Sequence, residues 1–468
     1  MPLPQNFSLL VLGQGGTGLE LASWAASHLD DRVSSVTVYG GSSSAPNACT
    51  EELEARGVRF VYGTEEISGS YGLCVASPGI SEFGDFYRSA RSASGEIMGE
   101  PEFAWRLSPE RWCAITGTNG KTTVTSLVDE LLRSSGLPSV AVGNIGTAPI
   151  REVDRREAGE WFVAELSSYQ LATTEEFHPR VAVLLNLTPD HLSWHRSHEN
   201  YALAKIRMLR NMDSSDIAIV NAEDEGLAAY FDRIDVPGRR VLRFGLADCG
   251  APDAAFVRDG MLVVRMGDVE HALVAVEELR IAGSHNTLNA LAASAAALAC
   301  GAGDDGVRAG LRAFAPLPHR LEPVGVVDGI RYVNDSKATN TDAVVKALEA
   351  FAGQRIVLLL GGSDKGTPIE EFMAVVASLA SAVVCFGEAR ERFRAALMEA
   401  PGVSDIDVAE ADDLRDAVDV ARSLAQRDDT VLLSPACASF DEFSSFEERG
   451  EAFRAYVAAL AELSEAEA

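Results

Sequence analysis

The stretch that decides the fold is Ile115-Thr116-Gly117-Thr118-Asn119-Gly120-Lys121-Thr122-Thr123. The apolar run from Trp112 to Ile115 predicts a strand before it, and the run from Val124 to Leu132 predicts a helix after it. This order is typical of a phosphate-binding loop, because the N–H groups and the dipole at a helix N-terminus favour an anion. The pattern predicts that Lys121 reaches the outer phosphates and that Thr122 offers its hydroxyl to Mg²⁺.

The loop departs from the general G-x-x-x-x-G-K-[ST] pattern at one position. That pattern places a glycine at 115, where this chain has Ile115, so the loop has the narrower form G-T-N-G-K-T-T. A Gly-Lys-Thr-Thr run after an apolar strand has little packing rationale, and we therefore interpret it as a binding site for a nucleotide phosphate.

The composition limits the class of protein. The 468 residues exceed the roughly 250–300 at which one core usually splits, so two or three domains are expected. A hydrophobic content of 47% allows a full core and argues against global disorder. A net charge of −29 repels nucleic acid and anionic membranes, so we expect neither as a partner.

The cysteines and the N-terminus indicate a cytoplasmic protein. Seven cysteines are scattered along the chain without a C-x-x-C pair, which favours reduced thiols over a disulfide framework. The first residues lack the basic region and the cleavage site of a signal peptide. No apolar run is long enough to span a bilayer.

Strand-like and helix-like runs alternate along the whole chain, which predicts an α/β fold with largely parallel sheets. The clearest predicted strands are Phe7–Leu12, Val33–Tyr39, Val58–Val61, Leu73–Ala76, Val140–Val142, Trp161–Ala164, Val181–Asn186, Ile217–Val220, Arg331–Val333, Ile356–Leu360, Ala382–Phe386 and Thr430–Leu433. Long helices are predicted at Leu19–Leu29, Ala282–Cys300 and Phe446–Leu463, a connector at Trp105–Arg111, and short β elements around 245–271.

We expect three consecutive α/β domains. They are a Rossmann-like N-terminal domain over 1–106, a central P-loop ATPase-like domain over 107–316, and a C-terminal Rossmann-like domain over 317–468.

Gly13-x-Gly15-x-x-Gly18 follows the first strand and opens a helix, as in the dinucleotide fingerprint. The acidic partner for a ribose is expected about 20 residues later. That place holds Val38-Tyr39-Gly40-Gly41, without a carboxylate, so NAD is disfavoured. A different diphosphate-bearing nucleotide would still use the glycine turn, and a purely structural tight turn is the alternative.

Two side chains are candidate metal ligands. Glu165 and His191 each follow a predicted strand, and ligands commonly gather beyond the carboxyl ends of parallel strands. Mg²⁺ prefers oxygen ligands, so a histidine ligand is unusual, and an ordinary surface or core histidine is the alternative. Lys205 lies on an apparent helix, where the pattern alone predicts a solvated surface lysine.

The last segment offers three polar stretches. Asn334–Asn340 follows a strand and is either a base or ribose site or a simple turn. Arg320 could supply positive charge to phosphates after domain closure. Ser434–Asp441 contains small residues that allow close backbone approach to a ligand.

Together these residues resemble the Mur ligase family, the ATP-dependent amide ligases of peptidoglycan assembly, along essentially the whole chain. The family's loop has the G-T-N-G-K-T-T form, which accounts for Ile115. The stretches that carry the resemblance, and that favour the D-glutamate-adding branch of the family, are Glu165–Leu171, Leu317–Arg320, Asn334–Asn340, Leu433–Gly450 and the N-terminal turn with Ser77-Pro78-Gly79-Ile80.

The resemblance implies a two-step reaction. ATP phosphorylates the alanyl carboxylate of UDP-N-acetylmuramoyl-L-alanine, and the amine of D-glutamate attacks the resulting acyl phosphate, from which phosphate leaves. A carboxylate is a poor acyl donor, so phosphorylation creates the leaving group, and the enzyme supplies positioning and charge neutralisation.

The resemblance also implies two Mg²⁺ ions. Thr122 and Glu165 match ligands of the first, and His191 with a carbamylated Lys205 match the second. A carbamate carries negative charge and oxygen donors, whereas a free ammonium would be repelled by the ion. The implied catalytic residues are Lys121, His191, Lys205 and Lys337.

The remaining implied contacts fall into three sets. ATP would be held by Gly117, Thr118, Asn119, Gly120, Lys121, Thr122, Thr123, Asn286, Asn289, Arg320 and Asp335. The muramoyl nucleotide would be held by Gly15, Thr17, Ser77, Pro78, Gly79, Asn144, Ser167 and Gln170, with Lys337 near the reacting groups. D-Glutamate would be received by Thr339, Lys365, Ser439, Phe440 and Phe446.

Two positions depart from the family pattern. The Asp-x-Arg expected after the second strand is replaced by Tyr39-Gly40-Gly41-Ser42, which leaves the uridine contacts open. The Lys365 assignment depends on alignment through Ser363-Asp364. We expect a monomer.

Two other functions compete with this one. The first is a ligase of the same fold with another acceptor; a folate enzyme would lack the N-terminal domain, and a diaminopimelate-adding enzyme would carry an Asp-Asn-Pro-Arg signature, which is absent. The second is a nucleotide-binding regulatory protein, which ATP hydrolysis independent of both other substrates would favour.

Overall fold

The computed structural model describes residues 3–29, 31–281, 283–315, 318–351, 353–364 and 369–467. These residues form three β-sheets that follow one another along the chain, with helices between the strands. The prediction of three consecutive α/β segments is therefore confirmed.

The strands are β1 Phe7–Leu12, β2 Val33–Tyr39, β3 Arg59–Val61, β4 Tyr71–Ala76, β5 Ser94–Gly99, β6 Trp112–Thr116, β7 Ser139–Gly143, β8 Trp161–Glu165, β9 Val181–Leu184, β10 Ile217–Asn221, β11 Arg240–Phe244, β12 Asp253–Arg258, β13 Met261–Met266, β14 Val269–Ala275, β15 Glu322–Val327, β16 Ile330–Asn334, β17 Ile356–Gly361, β18 Ala382–Phe386, β19 Asp407–Glu410 and β20 Thr430–Ala436.

The helices are α1 Gly16–Ser27, α2 Ala48–Ala55, α3 Asp85–Ala93, α4 Glu100–Leu107, α5 Lys121–Ser134, α6 Pro149–Glu152, α7 Ser168–Ala172, α8 Leu192–His195, α9 His198–Ile206, α10 Glu225–Ala228, α11 Phe231–Ile234, α12 Ser284–Ala299, α13 Asp304–Ala313, α14 Thr341–Ala350, α15 Glu370–Leu379, α16 Arg390–Met398, α17 Leu414–Leu424 and α18 Phe446–Glu467.

The first sheet has the order β3-β2-β1-β4-β5 and is parallel throughout. Its central strand β1 is apolar and buried except at Ser8, as expected for a parallel sheet covered on both faces. The chain crosses from one side of β1 to the other after β3, so the carboxyl end of β1 is a topological switch point, where such sheets bind ligands. The glycine turn at Gly13 begins there.

The second sheet has the order β14-β13-β12-β11-β10-β9-β6-β8-β7. Strands β7 to β12 and β6 pair in parallel, and β12, β13 and β14 form an antiparallel meander at one edge. Strand β6 lies between β9 and β8, so the phosphate loop that follows it emerges from the middle of the parallel part.

The third sheet has the order β15-β16-β20-β17-β18-β19, in which only the β15–β16 pair is antiparallel. The chain divides into two compact units. One contains Met1–Leu279 and Asn286–Phe314, with the first two sheets, and the other contains Arg280–His285 and Ala315–Ala468, with the third.

Several elements differ from the sequence-based expectations. The connector predicted at Trp105–Arg111 is wrong at its start, because helix α4 runs to Leu107, with two glutamates and a proline in its first turn. The predicted strand Val181–Asn186 ends at Leu184, and within the described residues the helix predicted from 282 begins at Ser284. Strands β5, β15 and β19 lie at sheet edges, and their polar, partly exposed sequences gave no apolar signal.

Gly18 is required by the close approach of helix α1 to the glycine turn. A Cβ built on Gly18 would lie 1.9 Å from the carbonyl oxygen of Gly13, whereas one on Gly16 meets nothing within 4 Å. We expect Gly18→Ala to lower the free energy of unfolding by about 1–3 kcal/mol through overpacking. Gly16→Ala is the control, and its effect should be neutral or stabilising, because alanine is the better helix former. Equal thermal unfolding midpoints for the two variants would contradict this reading.

Candidate active site

The phosphate loop is tightly enclosed at both of its inner glycines. Gly120 has φ +81°, and a Cβ there would lie 2.6 Å from Oδ1 of Asn289. A Cβ on Gly117 would lie 2.9 Å from Cβ of Leu185. Only glycine satisfies both the left-handed conformation at 120 and the space available at 117.

The segment after β9 holds the loop in place. The Thr118 N–H donates to the Asn186 carbonyl at 3.1 Å, and the Asn119 N–H donates to Oδ1 of Asn186 at 2.8 Å. The Thr188 N–H in turn donates to Oγ1 of Thr118 at 3.0 Å. These bonds hold the loop backbone against the segment that follows β9.

Lys121 extends over its own loop. Its Nζ donates to the carbonyls of Gly117 at 2.9 Å and Thr118 at 2.8 Å. The ammonium therefore lies against the backbone of the loop, and its contact with outer phosphates stays a prediction. Thr122 and Thr123 follow in the first turn of α5, where Thr123 is buried.

Lys205 is not the solvated surface lysine that its helical pattern alone predicts. It is 3% exposed, and its Nζ donates to the Gly117 carbonyl at 2.8 Å. The ammonium also lies 4.7 Å from the centre of the Tyr201 ring. Burial, and secondarily the charge of Lys121, lowers the pKa of Lys205 well below its usual value. Lys205 is therefore in contact with the phosphate loop, and its implied role as a metal ligand stays a prediction.

Glu165 ends β8 beside the phosphate loop. The strand register pairs it with Ile115 of β6, and it is 1% exposed. Its Oε1 accepts a hydrogen bond from Nδ2 of Asn144 at 2.8 Å, while Oε2 is buried without a hydrogen-bond partner among the described residues. A buried carboxylate oxygen without a partner is costly, so this oxygen is suited to a cation or a ligand hydroxyl.

His191 follows β9 at the same edge of the sheet. It has φ +53°, and its N–H donates to Oδ1 of Asp190 at 2.8 Å. Its Nε2 lies 3.4 Å from Oδ2 of Asp190, and its ring centre lies 4.8 Å from that of Tyr169. The side chain is 40% exposed, so it is accessible to a ligand.

His195 was not predicted from the sequence, although it is buried among the aromatic side chains that follow β8 and β9. It is 1% exposed, and its Nε2 lies 2.8 Å from Oγ of Ser168 at the start of α7. Its ring also lies 5.4 Å from that of Tyr201, whose hydroxyl is 2.9 Å from Oγ1 of Thr118. Burial, followed by the charges of His191 and Lys205, lowers the pKa of His195 to about 4, so the ring is neutral at neutral pH. Its spacing of four residues from His191 was the available signal.

A cavity of about 710 Å³ lies between the first two sheets, within one compact unit. This volume falls in the range of small-molecule and cofactor sites. All eight residues that the resemblance assigned to the muramoyl nucleotide line it: Gly15, Thr17, Ser77, Pro78, Gly79, Asn144, Ser167 and Gln170. Ser167 caps α7, with Gln170 completing the capping box, so these two side chains hold each other in place.

Two candidate ATP residues lie beside the phosphate loop on α12. Nδ2 of Asn289 donates to Oδ1 of Asn286 at 3.1 Å, and Asn289 contacts the space at Gly120. Both asparagines are in the same compact unit as the loop.

The other candidate residues are in the second unit. They are Arg320, Asp335, Lys337, Thr339, Ser439, Phe440 and Phe446; Lys365 lies outside the described residues. Oγ of Ser434 donates to Oδ2 of Asp335 at 2.7 Å, and burial raises the pKa of Asp335 to about 7. Nζ of Lys337 lies 3.7 Å from the centre of the Phe446 ring. Ser439 is buried, and Phe440 is exposed.

A buried arginine, also absent from the predicted site, joins the two loops of the second unit. The Nε of Arg449 donates to Oγ of Ser336 at 2.9 Å, and its Nη2 donates to the carbonyls of Ser336 at 2.9 Å and Cys437 at 3.0 Å. Burial lowers the pKa of Arg449 to about 10. The arginine fixes the segments that follow β16 and β20 relative to each other.

The fold and this site define a nucleotide-dependent α/β enzyme. A fixed phosphate loop, two lysines and a buried carboxylate meet at the carboxyl edge of a parallel sheet, next to a ligand-sized cavity.

Comparison with known proteins identifies the family. The Mur ligase middle domain matches residues 115–297, and the Mur ligase glutamate ligase domain matches residues 319–437. A Pelotomaculum thermopropionicum protein named UDP-N-acetylmuramoylalanine--D-glutamate ligase is 39% identical over 454 residues, which are 97% of each chain. The chain therefore belongs to the Mur ligase family, and the resemblance seen in the sequence is confirmed.

Two solved structures share the fold at low sequence identity. MurF from Acinetobacter baumannii aligns with a TM-score of 0.62 at 16% identity, covering 97% of this chain and 93% of its own. FolC from E. coli, in complex with DHPP and ADP, aligns with a TM-score of 0.57 at 18% identity, covering 76% of this chain and 92% of its own.

The described residues were also searched for membrane-spanning helices. None of the helices within them has both the length and the apolar character that a bilayer span requires.

The hydrogen bond between His195 and Ser168 provides a test of this geometry. His195→Phe and Ser168→Ala should each lower the free energy of unfolding by about 1–3 kcal/mol, because each leaves a buried polar atom without its partner. The double variant should lose less than the sum of the two, since both partners are then removed. Urea denaturation measures all three variants.

His198→Phe is the matched control for this cycle. Its ring also lies near Tyr201, at 6.3 Å, but its Nε2 has no hydrogen-bond partner among the described residues. It should cost less than His195→Phe. Strict additivity of His195→Phe and Ser168→Ala would show that the bond contributes nothing.

Proposed function

We propose that this protein is an ATP-dependent amide ligase that adds D-glutamate to UDP-N-acetylmuramoyl-L-alanine through an acyl phosphate. The reaction belongs to peptidoglycan precursor synthesis. The substrates are those in the name of the 39% identical relative, which aligns along nearly the whole of both chains. ATP use is supported by the Mur ligase middle domain and by a FolC structure that contains ADP.

One structural observation carries the proposal. Asn144 lines the cavity, and its Nδ2 donates to Glu165 at the edge of the phosphate loop. The same side chain therefore touches both the cavity proposed for the muramoyl nucleotide and the site proposed for phosphoryl transfer. A carboxylate bound at this end of the cavity would lie next to the phosphate that it must accept.

The residues of the chain account for most of the chemistry. The loop N–H groups and the N-terminus of α5 bind the phosphates of ATP, and Lys121 neutralises charge on the transferred group. Asn144 and Gln170 orient the alanyl carboxylate as its oxygen attacks the γ-phosphorus and ADP leaves. The amine of D-glutamate then attacks the acyl carbon, loses a proton, and expels phosphate.

The residues present fit Mg²⁺. The unpartnered Oε2 of Glu165 and the hydroxyl of Thr122 are the oxygen ligands that this ion prefers, and we assign the first ion to them. We assign a second ion to His191 and a carbamylated Lys205. When bound, these ions would neutralise the phosphate oxygens during transfer.

Carbamylation of Lys205 is consistent with its surroundings. The amine is buried beside the phosphate loop, and the carboxylates of Asp190 and Glu165 are near enough to act on its charge. In the modification the ammonium first loses one proton, and the neutral amine nitrogen then attacks the carbon of CO₂ and releases a second proton, so a cation is replaced by a carbamate anion. The product supplies the oxygens that an ammonium lacks.

The other assignments follow the family resemblance. We propose that Asn286, Asn289, Arg320 and Asp335 contact ATP, that Lys337 lies near the reacting groups, and that Thr339, Lys365, Ser439, Phe440 and Phe446 receive D-glutamate. We also propose domains at 1–106, 107–316 and 317–468. A monomer in the cytoplasm, where ATP and UDP-linked precursors are supplied, completes the proposal and agrees with the free cysteines.

An amino-acid panel tests the function. With ATP and UDP-N-acetylmuramoyl-L-alanine, phosphate release should require both the nucleotide substrate and an amino acid, and D-glutamate should give the highest rate. Lys121→Ala should lower kcat by about 100-fold or more, because charge on the transferred phosphate is no longer neutralised. Lys346→Ala, a change in α14, is the control. Preference for another amino acid would overturn the acceptor, and hydrolysis without either co-substrate would overturn the ligase.

A second experiment tests the modification of Lys205. Protein equilibrated with ¹³C-bicarbonate should give a carbamate carbon signal in NMR that is lost in Lys205→Gln and retained in Lys346→Gln. The assignment is tractable because the sequence contains only five lysines. A spectrum without a carbamate signal, together with an unmodified mass for the peptide that contains Lys205, would show that the lysine acts as an amine.

A further inference from the structure

The cavity between the first two sheets is lined by an acidic residue, Glu65, that the expected spacing after β2 did not predict. No carboxylate follows β2, where a ribose-binding acid was expected. Strand β3 pairs in parallel with β2, with Tyr39 opposite Val61, so the loops after both strands leave the sheet at the same edge. A bridge between Gly41 and Thr64 then brings the two loops together. This pairing places Glu65 beside the loop that follows β2.

Glu65 is oriented by a neighbour from that loop. Oγ of Ser42 donates to its Oε1 at 2.9 Å, and both residues line the cavity. Among the described residues no lysine or arginine forms a salt bridge with Glu65. The carboxylate is exposed, which leaves it accessible to a ligand in the cavity.

The loop that presents this pair is itself fixed. Oγ of Ser44 donates to the Gly41 carbonyl at 2.6 Å and accepts from the Gly63 N–H at 3.1 Å. Gln14 adds a third hydrogen bond, in which its Nε2 donates to the Ala45 carbonyl at 3.1 Å. The backbone of the loop that carries Ser42 is therefore held by hydrogen bonds from the side chains of Ser44 and Gln14.

The charge of the cavity gives Glu65 a distinct role. Among the described residues that line the cavity, it is the only one with a charged side chain. A diphosphate would be bound by the N–H groups at Gly15, Gly16 and Thr17, where α1 begins, and it would avoid the carboxylate. Oε1 of Gln14, which is buried without a partner among the described residues, adds a second acceptor near this end. The cavity thus offers donors at the glycine turn and acceptors at Glu65.

We infer that Glu65, held by Ser42, accepts hydrogen bonds from the uridine of the nucleotide substrate and so selects the nucleoside. This inference rests on the proposed function, which supplies a UDP-linked substrate. The donors available on uridine are the ribose hydroxyls and the N3–H of uracil. Dinucleotide-binding sheets use an acid after the second strand for a ribose, and here the acid comes from the loop after the third.

Calorimetric titration with UDP tests the inference without relying on turnover. Glu65→Gln should raise the Kd for UDP about 10-fold or more, as expected for the loss of a charge-assisted hydrogen bond. Ser42→Ala should raise it less, because the carboxylate remains and only its orientation is loosened. KM for ATP and for D-glutamate should not change in either variant.

Glu66→Gln is the matched control, since it removes the neighbouring charge, which does not line the cavity. Titration with 2′-deoxy-UDP narrows the donor: if the effect of Glu65→Gln disappears, the carboxylate binds the 2′-hydroxyl, and if it persists, the carboxylate binds the 3′-hydroxyl or the N3–H of uracil. If Glu65→Gln leaves the Kd for UDP unchanged, the inference is overturned. If the wild-type protein still ligates D-glutamate in that case, the proposed function is kept. If the wild-type protein binds UDP and Glu65→Gln raises the Kd, but no ligation of D-glutamate occurs, the role of Glu65 is kept and the proposed function is overturned.

Discussion

The site depends on how two lysines share one backbone carbonyl. Nζ of Lys121 and Nζ of Lys205 both donate to the carbonyl of Gly117, at 2.9 and 2.8 Å. Two ammonium groups this close repel each other, and the repulsion adds to the burial that lowers the pKa of Lys205. Negative charge placed here is therefore stabilised strongly. A phosphate on the loop and a carbamate on Lys205 are two ways of supplying it.

The phosphate loop could be predicted from the sequence, whereas the burial of Lys205 could not. The glycines, Lys121 and the flanking strand and helix are contiguous, so local rules were sufficient to identify the loop. Lys205 lies 84 positions beyond Lys121, on a helix whose pattern suits a solvated residue. Its burial comes from the packing of α9 beside α7, which no local pattern encodes. Only the resemblance to a family singled out Lys205 in the sequence; the structure shows its contact with the loop, and its role as a metal ligand stays a prediction.

Glu65 and His195 also could not be predicted from local sequence patterns, each for a different reason. A ribose-binding acid is expected after β2, because that is where a dinucleotide-binding fold places it. The acid is instead on the loop after β3, and the parallel pairing of those strands makes the two positions neighbours. His195 was not identified because its spacing of four residues from His191 is a weak signal, and its hydrogen-bond partner Ser168 lies 27 residues earlier in the chain.

The overall negative charge of the protein limits the places where an anion can bind. The protein has a net charge of −29 and only five lysines, and four of these, Lys121, Lys205, Lys337 and Lys365, are candidate site residues. Arginine supplies the rest of the positive charge, and most of the arginine salt bridges in the described residues are partly exposed contacts with aspartate or glutamate. Anionic ligands are therefore expected to meet a lysine at a defined place, neutral N–H groups at a helix N-terminus, or Arg320, the one arginine among the candidate site residues. A surface of this sign repels a misplaced phosphate, so binding is confined to the loops that are built to accept one.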